Sequence, residues 1–137
     1  MIHRRSIALL GLTLLVPGVV LFAHHAPSAI FDMKKVVTVS GTLTKVEWVN
    51  PHIQMYVDVK AADGSVANWK LESNPPRWFT KVGVSRADFA ANVGKTVTVD
   101  MVAALDGSKY AYMHKITFAD GTSFSLQDSE TKDKINP

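Results

Sequence analysis

Apolar and polar residues alternate with a period of two through most of the chain, the pattern of strands with one buried face. In residues 53–59, Ile53, Met55, Val57 and Val59 alternate with Gln54, Tyr56 and Asp58. Residues 66–72 place Ala67, Trp69 and Leu71 against Asn68, Lys70 and Glu72, and residues 96–102 place Val97, Val99 and Met101 against Thr98 and Asp100. A longer run rich in β-branched residues, 36–49, carries Val37, Val39 and Leu43 on one parity but Val46 and Trp48 on the other. That change of phase predicts a bulge near Ser40-Gly41 or Thr44-Lys45, and hence a long, bent strand. Residues 109–118 read as a further strand and residues 122–126 as a short extension.

The breaks between these runs have their own chemistry. Asn50-Pro51 ends the long strand, because the residue before a proline is held extended and the proline lacks a ladder donor. Asp63-Gly64, Asp106-Gly107 and Asp120-Gly121 are tight-turn signals, and Asn74-Pro75-Pro76 stops the third strand. Ser85 with Asp88 three residues on forms a capping pair, predicting one short helix through Phe89 that closes at residues 92–94. Five strands with a helix between the third and fourth predict a mainly β fold, a small OB-like five-stranded barrel with one short helix. Closing the sheet also removes exposed edges.

Residues 1–23 look like an export signal rather than part of this fold. His3, Arg4 and Arg5 form a charged start, residues 7–16 an apolar segment, and Ala23 a small residue before a cut. The apolar stretch 7–22 is short for a span and is interrupted by Pro17-Gly18, which favours cleavage after Ala23 over retention as an anchor. Leu21 is bulkier than the residue such a cut prefers. The expected organisation is a signal peptide (1–23), an N-terminal arm (24–35), the barrel (36–126) and a polar, disordered tail (127–137). The expected location is periplasmic or secreted, with no stable membrane span after processing.

Charge and composition narrow the function. The whole chain has a net charge of +3, but setting aside Arg4 and Arg5 from its 15 basic residues leaves 13 against 12 acidic ones. A near-neutral exported domain without a basic tract argues against nucleic acid as a partner. With no cysteine in the chain, disulfides, thiolate metal sites and thiol nucleophiles are excluded. Neither a nucleophile elbow nor a glycine-rich phosphate loop is present, so nothing specific points to an enzyme.

Several short motifs together resemble a known family. His24-His25, Phe31-Asp32, Gly41-Thr42-Leu43-Thr44, Glu47-Trp48, Asn50-Pro51-His52, Trp69-Lys70-Leu71-Glu72, Asp106-Gly107-Ser108 and Ala119-Asp120-Gly121 are similar to those of the small exported bacterial proteins grouped as domain of unknown function 6152. The resemblance implies a periplasmic location and a small β-barrel, and implies no activity. The family's usual start is His-His-Ser-Phe, from which His24-His25-Ala26-Pro27 departs at the third position.

Two sets of residues are candidates for chemistry. After cleavage, His24 offers its amino group and imidazole, and His25 adds a second imidazole across one backbone amide. Copper(II) suits such a nitrogen-rich set, standing at the top of the divalent affinity order and accepting tetragonal nitrogen ligation. His52, on the polar parity at the start of a strand, could supply a further nitrogen. The metal expectation is therefore copper on His24, His25 and His52. The competing account makes His24-His25 a solvated start and His52 a partner of the turn backbone. The second set is an aromatic ligand face of Trp48, Tyr56 and Trp78, for a peptide, a glycan or a protein partner, against which stands ordinary packing of those rings. His114, Met55 and Met101 read as core residues. Glu47, Asp58 and Glu72, each near a lysine, read as cross-strand ion pairs on a solvated face.

Overall fold

A computed structural model of the chain describes residues 27–126. A short 3-10 turn, Pro27–Ala29, leads into the strands β1 (Phe31–Glu47), β2 (Gln54–Lys60) and β3 (Val66–Glu72). Two short helices follow, α1 (Pro76–Lys81) and α2 (Arg86–Ala90), and then β4 (Thr96–Ala104), β5 (Tyr110–Thr117) and β6 (Ser123–Ser125). The sheet order is β3-β2-β1-β4-β5-β6, and an added parallel pairing of β3 with β5 closes the first five strands into a barrel. This is the OB-like barrel that the strand order predicts, with β6 paired to β5 outside the ring.

β1 can serve two partners because it is long and changes phase along its length. Its earlier part pairs with β4, from Val36 opposite Val102 to Thr42 opposite Thr96, and its later part with β2. The register slips between Leu43 and Lys45, the second of the two positions where the sequence pattern changes parity. Val37, Val39 and Leu43 before the bulge and Val46 and Trp48 after it consequently all reach the core. Gly41 is required by a close approach: a Cβ there would stand 2.3 Å from the Asp58 carbonyl oxygen.

The core fills the barrel with Leu43, Met55, Val57, Leu71, Val99, Met101 and Met113, each fully buried. Met55 and Met101 are thus packing residues, as their parity predicts. One end of the barrel is stoppered by Phe79 of α1 and Phe89 of α2, whose rings meet edge-on with centroids 5.4 Å apart. Val37, Trp69 and Ala103 lie toward the opposite end.

Two expectations need correction. The strand β1 begins at Phe31, not at residue 36, so residues 31–35 of the expected arm are part of the sheet. A helix that the sequence did not announce, α1, follows the proline pair: Pro76 occupies a first-turn position where its missing N–H costs nothing, and Gly83 takes a left-handed conformation just past the end. The single predicted helix is α2, held by the reciprocal Ser85–Asp88 capping box. His24, His25, the signal peptide and the tail beyond residue 126 lie outside the described residues.

Candidate functional site

The outer wall of the barrel carries polar residues in aligned rows, because strand register sets side chains of equal parity opposite one another. Lys45, Tyr56, Lys70 and Tyr110 are successive partners across β1, β2, β3 and β5, and Glu47, Gln54, Glu72 and Tyr112 form the next row. The parallel β3–β5 pairing is what brings Glu72 beside the two tyrosines, which lie 38 and 40 residues away in sequence.

Glu72 is the centre of the resulting cluster. Its Oε1 accepts from His52 Nδ1, and its Oε2 accepts from the hydroxyl of Tyr110. Beside it the Tyr112 hydroxyl donates to Asn74 Oδ1 at 2.9 Å. A carboxylate can only accept, so in the neutral imidazole Nδ1 carries the proton and Nε2 keeps its lone pair. The His52 side chain is 43% exposed and that of Glu72 18%, so the imidazole faces solvent while the carboxylate behind it is shielded. A histidine held this way by a carboxylate is the arrangement that orients metal-ligating imidazoles in general.

The same two tyrosines hold the start of the sheet. The Phe31 ring lies 5.1 Å from Tyr110 and 5.8 Å from Tyr112, centroid to centroid, and with Val102 and Ala104 forms a small apolar cluster. A chain of direct contacts therefore runs from Phe31 through Tyr110 and Glu72 to His52. The Leu105 N–H donates to the Ile30 carbonyl, tying down the residue before the strand.

The other expected site residues are placed differently from one another. Trp48 packs on Phe79 and Phe89, at 5.8 Å from each, and Trp78 meets Phe79 edge-on at 4.8 Å, so both indoles lie against the helical stopper. Tyr56 faces outward on β2, with its hydroxyl on Glu47 Oε2 and the Lys45 ammonium 5.2 Å from its ring centroid. Burial, followed by that bond to Glu47, raises the Tyr56 phenol above its ordinary range, while the bond from Lys45 holds the Glu47 carboxyl low.

The carboxylates correct the ion-pair expectation. Glu47 does pair with a lysine, at 2.6 Å, but with Lys45 of its own strand. Asp58 accepts from Asn68 rather than from Lys60, and Glu72 takes histidine and tyrosine rather than Lys70. His114 is buried, and loss of solvation lowers its pKa, only partly opposed by Asp100. Among the described residues no group of three or more histidine, aspartate or glutamate side chains is arranged to hold a metal ion. A metal on His52 would need further ligands from outside them. No helix among the described residues is long and apolar enough to cross a membrane.

Fold and cluster together define an OB-type barrel that presents one carboxylate-backed imidazole on its wall. The chain belongs to the family of unknown function DUF6152, whose model matches residues 13–113. No curated protein and no solved structure gives a significant match.

Proposed function

We propose that this chain is an exported, non-enzymatic binding module that holds copper(II) between its processed N-terminus and its barrel wall. The ligands are the amino group and imidazole of His24, the imidazole of His25, and Nε2 of His52. Export and cleavage after Ala23 belong to the same proposal, because the α-amino ligand exists only once the leader has been removed.

The observation that carries it is the Glu72–His52 pair, which aims an accessible imidazole nitrogen outward in a fixed tautomer. Reach supports it as well. His25 lies two residues before the 3-10 turn Pro27–Ala29 that leads into Phe31, so the segment between is short. Phe31 itself is seated on Tyr110, whose hydroxyl bonds Glu72. Three imidazoles and an amine make a donor set suited to copper(II).

The test is a copper(II) titration with electron paramagnetic resonance on protein shown by mass spectrometry to begin at His24, beside a sample carrying one extra residue there. One-to-one nitrogen ligation that is weakened by the extension and by His52→Ala is the expected result. Ligation indifferent to both changes, or no tight binding, overturns the proposal.

A further inference from the structure

Helix α1 turns Phe79 into the stoppered end of the barrel and leaves Arg77 and Lys81 exposed on the outside. These two cations, with Pro75 and Trp78, line an open concavity of about 300 Å³ that contains no acidic residue. Lysines elsewhere on the barrel are occupied: Lys45 pairs with Glu47, Lys70 lies over the Tyr110 ring and Lys109 over that of Trp69. Among the described residues Arg77 and Lys81 have neither an ion pair nor a ring beneath them. Their placement is also unfavourable to the helix. Lys81 suits the last turn, but Arg77 stands in a first turn that has no acidic residue, where a cation opposes the helix dipole. Like charges four residues apart repel as well. The fold therefore gives no reason for the pair, and its charge points outward to an anion.

The ring between the two cations narrows the choice of anion. Trp78 is half-buried and held edge-on against Phe79, centroids 4.8 Å apart, and Pro75 beside it is conformationally rigid. A fixed apolar platform flanked by cations suits a ring that carries its own carboxylate. The C–H face of such a ring covers the indole, and the carboxylate beside it meets a guanidinium, which takes carboxylates through two parallel hydrogen bonds. A uronic acid is built this way, its carboxylate bonded directly to the sugar ring. An acidic peptide instead holds its carboxylate on a flexible stem and offers the indole no ring. The openness of the site also lets a polymer continue past it. We infer that the α1 concavity binds an acidic polysaccharide, one uronate ring lying on Trp78 with its carboxylate held by Arg77 and Lys81. The site shares no residue with the His52 cluster, so this inference and copper binding stand or fall separately.

The experiment is calorimetry and tryptophan fluorescence on the exported protein, using an oligogalacturonate, an uncharged oligosaccharide and an oligoglutamate of equal length. The oligogalacturonate should bind, change the tryptophan emission and lose affinity as salt is raised. The uncharged sugar, which makes no hydrogen bond through a carboxylate, should bind at least about tenfold more weakly. Arg77→Glu with Lys81→Glu, both at exposed positions, should lower the affinity for oligogalacturonate by about 100-fold. Trp78→Ala should remove the preference for oligogalacturonate over oligoglutamate. Should that variant fail to fold, the charge reversal and the comparison of the two acidic polymers on the unaltered protein still decide the matter. No binding of oligogalacturonate, equal affinity for the uncharged sugar, equal affinity for oligoglutamate, or affinity unchanged by the charge reversal would each overturn the inference.

Discussion

Removing the Glu72 carboxylate tests the site at its centre. In Glu72→Ala two donors lose their acceptor at once, the His52 imidazole and the Tyr110 hydroxyl. Hydrogen bonds to a charged group contribute about 1.5–3 kcal/mol each, which for two gives about 3–6 kcal/mol as an upper figure. His52 is partly exposed and can turn to water, so the expected loss is about 2–3 kcal/mol. Glu72→Gln keeps one carbonyl acceptor and should lose roughly half as much. The measurement is urea unfolding followed by far-ultraviolet circular dichroism, run as a double-mutant cycle with Tyr110→Phe. Because the two residues are in direct contact, their effects should couple by about 1 kcal/mol rather than add. Glu72 acts on a metal only through His52, so copper(II) affinity should drop about 10- to 100-fold in Glu72→Ala while the number of nitrogen ligands is retained. An unfolding midpoint equal to wild type, with strictly additive effects in the cycle, would refute the account of Glu72 as the shared acceptor.

Two further expectations follow from the fold. Gly41→Ala puts a methyl 2.3 Å from the Asp58 carbonyl oxygen and 2.8 Å from a Val57 methyl, contacts that only separation of β1 from β2 relieves. Its cost should reach or exceed about 3 kcal/mol, the upper part of the range for overpacking, and chemical denaturation of the purified variant checks it. His114 makes stability depend on pH. Burial lowers its pKa from the ordinary 6.5, so the unfolded chain takes up a proton at a higher pH than the folded one. The contribution of His114 is complete well above 6.5 and declines as pH falls through that value, a slope visible in thermal melts. His114→Gln should flatten the slope, and an identical slope in that variant would show that another group is responsible.

The barrel was legible in the sequence where structure is local. Each alternating run became a strand, the change of parity within β1 became the slip between Leu43 and Lys45, and Ser85 with Asp88 became a capping box. The three Asp-Gly signals sit at turns in which the aspartate accepts from the backbone N–H two residues on, at 2.9 Å in every case: Asp63 to Ser65, Asp106 to Ser108 and Asp120 to Thr122. What escaped were features without a local cause. Phe31 joins the sheet because Tyr110 and Tyr112 offer it an apolar seat, and no periodicity around residue 31 records that. Helix α1 is too short to show a helical period, and only its proline start and Gly83 mark it.

The candidate site illustrates the same division in chemical terms. His52 was visible as a histidine on the polar side of a turn, but an isolated imidazole carries no information about its tautomer or direction. Those are set by Glu72, which local sequence assigned to a lysine because Lys70 is two residues away. The lysine is in fact drawn over the Tyr110 ring, 5.6 Å from its centroid, and leaves the carboxylate to histidine and tyrosine. The deciding event is the parallel pairing of Glu72 with Tyr112 and of Lys70 with Tyr110, a contact that exists only once the barrel has closed. Barrel closure and the orientation of His52 are therefore one structural event. A change that loosens the β3–β5 seam should free the imidazole as well, even when every residue of the cluster is still present.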